Sequence, residues 1–128
     1  MSGKEVILTL EELQERLSYW QTVLRLQDWE IELKMSRHHE MRATATGQSR
    51  WWIQDKSAEI KVLTHEDYLA VGFLGSQDME ETIVHELLHG HYLSDADALD
   101  IPEDGYKRDI LEQAITLTAA ALISLHRR

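Results

Sequence analysis

The spacing of apolar residues along this chain switches between two periods, and each switch marks an element. Leu10, Leu13, Leu17, Trp20 and Leu24 recur every three or four positions, which predicts a packing helix over residues 10–26. Thr9 and Glu12 have the Thr-x-x-Glu form of a capping box at its start. From Trp29 the period drops to two. Trp29, Ile31, Leu33 and Met35 alternate with polar neighbours as in a half-buried strand over residues 28–35. A second strand is expected within 41–54, bent or bulged at Gly47, with Trp51 and Trp52 on opposite faces so that one is exposed. A third covers 59–63, joined to the second by a polar hairpin turn at 54–57.

The helical period returns at Ile83, Val84, Leu87 and Leu88, in a helix predicted to begin near Met79 behind the Asp-x-x-Glu capping form of Asp78 and Glu81. Residues 94–105 are acidic, turn-rich and hold the only proline, and read as a loop. From Tyr106 or Arg108 to Leu125 the chain is again helical. His126, Arg127 and Arg128 follow, where positive charge suits the end of a helix dipole. Residues 1–8 are expected to be a loose lead-in. The pattern gives an α+β fold: a small, three-stranded, mainly antiparallel sheet packed on an N-terminal helix, a central helix and a C-terminal helix.

Composition narrows the chemistry. A chain of 128 residues, 43% hydrophobic, fits one domain spanning 1–128. Without cysteine there are no disulfides and no thiol catalysis, and any metal must be held by His, Asp or Glu. A formal charge of −10 argues against a nucleic-acid footprint, because phosphate binding needs a positive surface. No apolar run approaches the roughly 20 residues that span a bilayer. With no secretory apolar segment behind Met-Ser-Gly-Lys-Glu, the expected compartment is the cytoplasm, and a monomer is the default.

The central helix carries His-Glu-x-x-His as His85, Glu86 and His89. At about 100° per residue, positions four apart share a face, so both imidazoles can reach one ion. Glu86 projects from a neighbouring direction, beside the ion and not bound to it, which suits a general base. Two histidines leave a catalytic zinc site one ligand short. Glu112 is the candidate, as the only charged residue between Ile110 and Leu125 and 23 positions beyond His89. Burying a carboxylate on so apolar a helix is costly without a positive partner, and a metal would be one. The competing reading pairs Glu112 with Arg108.

Other third ligands are weaker. Asp95 lies six residues after His89, but Tyr92 stands where the extended motif has the glycine that turns the chain. His91 is about 200° around the helix from His89. His38 and His39 follow the first strand and read as polar loop residues. Tyr92, His65, Tyr68 and Tyr106 are candidates to pack on the site or to bind a substrate oxygen.

With residues 29–33 (Trp-Glu-Ile-Glu-Leu), residues 82–89 (Thr-Ile-Val-His-Glu-Leu-Leu-His) and the helix bearing Glu112, the chain resembles a minimal zinc metallopeptidase of the gluzincin type, similar to SprT-like domains and small phage-encoded metallopeptidase-like proteins. The resemblance covers roughly residues 28–125. It implies Zn2+ bound by His85, His89 and Glu112, Glu86 as base, and a peptide or protein substrate. Glu112 matches less closely, since its surroundings lack the fuller Glu-x-x-x-Asp signature. A regulatory or interaction domain that binds zinc without cutting is the alternative.

Overall fold

The computed structural model describes residues 5–42, 45–98 and 105–128, and over 93–98 the backbone alone. Helix α1 (Leu10–Val23) opens with the expected box: Thr9 Oγ1 accepts the Glu12 N–H at 3.2 Å, and the Glu12 carboxylate accepts the Thr9 N–H at 2.9 Å. It ends three residues before the expected 26, because Arg25 turns into the left-handed region at φ 62°. Leu13, Leu17 and Trp20 are its buried stripe. Strands β1 (Glu30–Ser36), β2 (Gly47–Trp52) and β3 (Ser57–Leu63) follow, with a 3-10 turn (His38–Glu40) after β1.

The sheet is mixed, and the expectation of a mainly antiparallel sheet is corrected. Its order is β1-β3-β2. The hairpin of β2 and β3 forms as expected, from Gly47 opposite Val62 to Trp52 opposite Ser57. Strand β1, however, pairs with β3 in parallel, from Glu30 opposite Ser57 to Ser36 opposite Leu63. The composition of the strands accounts for this order. Ala58, Ile60 and Val62 are all buried, so β3 takes the centre, where both edges of its backbone find ladder partners. Polar β2, with Gln48, Ser49 and Arg50, takes an edge.

Helix α2 (His65–Val71) was not expected; Thr64 caps it by accepting the Asp67 N–H at 3.3 Å, and Gly72 closes it at φ 84°. Helix α3 (Met79–Ala98) starts where expected but runs on through 94–98, which had read as loop. That stretch holds neither glycine nor proline, so nothing in it stops a helix. The rest of the expected loop, up to 104, lies outside the described residues. Helix α4 is Tyr106–His126.

The core lies between the sheet and the helices, built on Leu17, Leu33, Ile60, Ile83, Leu87 and Ile115. The lead-in is not loose at its inner end. Val6 bridges to the start of α3, donating its N–H to Gln77 at 2.9 Å and accepting that of Met79 at 2.9 Å. Beside it, the buried Glu80 carboxylate accepts from Trp20 Nε1 (2.8 Å), Arg16 (3.0 Å) and Arg127 (3.1 Å). Burial alone would push the Glu80 carboxyl up, but these three donors outweigh it and hold it below the usual carboxylate range. Among the described residues no helix is long and apolar enough to cross a membrane.

Candidate metal centre

Two contacts align α4 antiparallel on α3. Near the start of α4, Glu112 faces His85 and His89; just past its end, Arg127 bonds Asp78 at 2.6 and 3.1 Å and Glu80 at 3.1 Å. Both ends of α4 are thereby tied to one face of α3, and the first tie is the candidate site.

Glu112 presents one oxygen to each imidazole, Oε1 at 3.5 Å from His85 Nε2 and Oε2 at 3.4 Å from His89 Nε2. Those separations are long for a charge-assisted hydrogen bond, which closes to about 2.7–2.9 Å. They match the spacing of two donors on a tetrahedron whose ligands lie about 2.1 Å from a central ion, an edge of about 3.4 Å. The two imidazole rings are 4.9 Å apart and tilted by 50°. His89 is buried while its Nδ1 has no hydrogen-bond partner among the described residues, and His85 is half-buried. His85 and His89 could hold a divalent ion through their Nε2 atoms, with the Glu112 carboxylate facing them as a candidate third ligand.

Among the described residues, the three groups whose ligand atoms all lie within 4.8 Å of one another are His85, Glu86 and His89, and Glu112 stands outside that set. Glu112 is a further candidate, since its two oxygens oppose the two Nε2 atoms directly. The imidazoles of His85 and His89, facing its two oxygens, pull the Glu112 carboxyl below its ordinary range. Burial disfavours a charged His85, but the Glu112 contact and the charges of Glu86, Glu112 and Glu81 outweigh it and raise its pKa. Unlike the Glu112 carboxyl, that of Glu86 is raised. Buried behind the histidines, it is pushed up by desolvation against the opposing pull of His89, Ser49 and His85.

Strand β2 sets the wall behind Glu86, through two glycines. A Cβ on Gly47 would come within 2.4 Å of Thr82 Cγ2 and 3.2 Å of Glu86 Oε2. One on Gly90 would come within 2.5 Å of the Trp51 ring. Only glycine lets strand and helix approach so closely. The expected bend at Gly47 is thus a close approach. Trp51, half-buried and edge-on to Trp29 at 5.1 Å, donates its indole N–H to Ser49 Oγ at 3.0 Å and holds that hydroxyl beside Glu86. Trp52 is the exposed one of the pair. Ser49 and Gly47 gave no chemical signal in the sequence, but Gly90, a glycine within a helical pattern next to a ligand candidate, was a readable sign of close packing.

The other candidates are elsewhere. His91 Nε2 donates to the Leu24 carbonyl at 2.7 Å. The His38 N–H donates to Asp67 at 2.6 Å, in a turn away from the site, and His39 follows it there. The side chain of Asp95 lies outside the described residues. His65 bonds Gln77 at 3.0 Å. Tyr68 lines the cleft, but its hydroxyl is spent on the Leu74 and Gly75 carbonyls at 3.4 and 3.2 Å. Tyr92 and Tyr106 are exposed and do not line it.

The cleft has a volume of about 840 Å³ and runs from His85, Glu86 and Glu112 along the α3–α4 seam to Asp78 and Arg127, with Gly47 and Thr46 on its β2 side. Glu112 to Arg127 is 15 residues, about 22 Å of helix. Small side chains at Thr116, Ala120 and Ser124 keep that length open. No family model, no curated protein and no solved structure matches this chain.

Proposed function

We propose that this protein is a zinc metallopeptidase of the gluzincin type, resembling SprT-like domains, with His85, His89 and Glu112 as ligands and Glu86 as general base. The observation that carries the reading is the opposition of the Glu112 oxygens to both Nε2 atoms at 3.4 and 3.5 Å, with a buried carboxylate, Glu86, directly behind. Zinc, when bound, supplies a Lewis acid that brings the pKa of a coordinated water near neutrality and polarises a carbonyl.

The chain's own residues do the rest. Helix α3 sets the two imidazoles one turn apart on one face, and α4 brings Glu112 across to them. Glu86, raised by burial and steadied by Ser49, accepts a proton as the water oxygen bonds to the carbonyl carbon. It then returns that proton to the amine nitrogen as the C–N bond breaks. A cleft about 22 Å long has room for six or seven extended residues at about 3.3 Å each. That length suits a peptide as the ligand; the alternative reading is a zinc-holding interaction domain that cuts nothing.

Metal analysis of protein purified without added zinc is the test, read beside three variants. His85→Ala and Glu112→Ala should lose the metal, whereas Glu86→Gln should keep it and lose peptide cleavage. A protein that purifies without metal, and whose melting temperature ignores both zinc and chelator, refutes the reading. Zinc retained with no cleavage of a mixed peptide library favours the interaction domain.

A further inference from the structure

Among the described residues four carboxylates line the cleft, and three are already engaged. Asp78 is held by Arg127 at 2.6 and 3.1 Å, Glu112 faces the imidazoles, and Glu86 is buried beside Ser49. Glu81 differs. Among the described residues, no Lys, Arg or His nitrogen lies within 4.0 Å of its carboxylate, and no hydrogen bond reaches it.

The capping box that would have occupied Glu81 is only half made. Its N–H donates to Asp78 Oδ1 at 3.0 Å, but the Glu81 carboxylate does not accept the Asp78 N–H in return. Instead the side chain forms part of the cleft wall, half-buried. Burial and the neighbouring Asp78 raise its pKa against the weaker pull of the Arg127 and His85 charges, neither of which is in ion-pair contact with it. A helix start favours negative charge in its first turn, and Glu80 already supplies it there. That preference does not require a second carboxylate to face the cleft.

Position decides what Glu81 can meet. It lies one helical turn before His85, about 6 Å along the axis, or roughly two residues of extended peptide. We propose, building on the peptidase reading, that Glu81 is a specificity residue that receives a cationic group of the substrate, an ammonium or guanidinium, one or two residues from the scissile bond. Two sources offer that chemistry: an internal Lys or Arg side chain, and the free α-amine of a chain end. The pairing is charge-assisted and desolvated, and is worth about tenfold in affinity over an uncharged isostere.

The test measures binding, in the zinc-loaded Glu86→Gln protein, of short peptides that differ only in Lys against norleucine, or in a free against an acetylated N-terminus. The same set is titrated with Glu81→Gln and Glu81→Lys added, after circular dichroism confirms that each is folded. The cationic peptide should bind about tenfold tighter, the preference should fall below about threefold in Glu81→Gln, and Glu81→Lys should turn it toward peptides with Glu in place of Gln. Whether the preference follows the internal lysine or the free terminus identifies the source. Equal discrimination with and without Glu81, or no binding of any peptide at millimolar concentration, overturns the proposal. Mass spectrometry of the same peptides with Glu86 intact reads cleavage separately. Discrimination without cleavage supports the role of Glu81 and overturns hydrolysis.

Discussion

Replacing Gly47 by alanine probes the approach of β2 to α3 at its tightest point. The new Cβ would sit 2.4 Å from Thr82 Cγ2, where carbon atoms normally keep about 3.5–4.0 Å, so something must move by more than about 1 Å. Thr82 cannot easily turn aside, because its hydroxyl donates to the Asp78 carbonyl at 3.1 Å. The strand must give, at the about 1–3 kcal/mol typical of overpacking. For 128 residues, with an unfolding entropy near 2.1 cal/mol/K each, that lowers Tm by about 4–11 °C. Thr82→Ser removes the offending methyl and keeps the hydroxyl, so the double variant should recover more than half of the loss. Urea unfolding followed by tryptophan fluorescence, run as a double-mutant cycle, measures the coupling. A single variant shifted by less than about 0.5 kcal/mol, or a double variant no better than the sum of the two, would refute the close approach and with it the wall behind Glu86.

Glu80→Ala removes the acceptor shared by Trp20, Arg16 and Arg127 and should cost about 3–5 kcal/mol in urea unfolding, against under about 1 kcal/mol for an exposed pair. Asp67 gives a pH signature: hydrogen bonding from Arg37 at 2.9 Å holds its carboxyl down at about 2, below the ordinary 3.8. A depressed carboxylate contributes stability that is fully present above the unfolded value and is lost as pH falls toward the folded one. Asp67→Asn should therefore flatten the Tm–pH curve between about pH 4 and 2 and lower its plateau above pH 5.

How far the sequence carried depended on the range of the interaction. Local signals were read correctly: the Thr9 box, the hairpin turn, expected at 54–57 and formed at 53–56, the start of α3 at Met79 and the placing of His85 and His89 on one face. Each depends on residues within a few positions of one another. The partner of β1 does not. An alternating strand carries the same pattern whether its neighbour is β2 or β3, parallel or antiparallel, and the answer lay in how buried each strand had to be. Glu112 stood out as a lone charge on an apolar helix, and it does face both histidines. Ser49 and Glu81 did not stand out, because one is an ordinary strand residue and the other is disguised as half of a cap.

Arg127 was legible only as a charge suited to a helix end, yet its grip on Asp78 and Glu80 has a mechanical consequence. A rod held at one point can slide and pivot; a rod held at two points about 22 Å apart can do neither. Were α4 to slip by one residue along α3, Glu112 would travel about 1.5 Å and swing about 100°, and its carboxylate would leave the histidines. The ion pairs at the far end therefore act as a gauge block, setting the registration of a carboxylate they never touch.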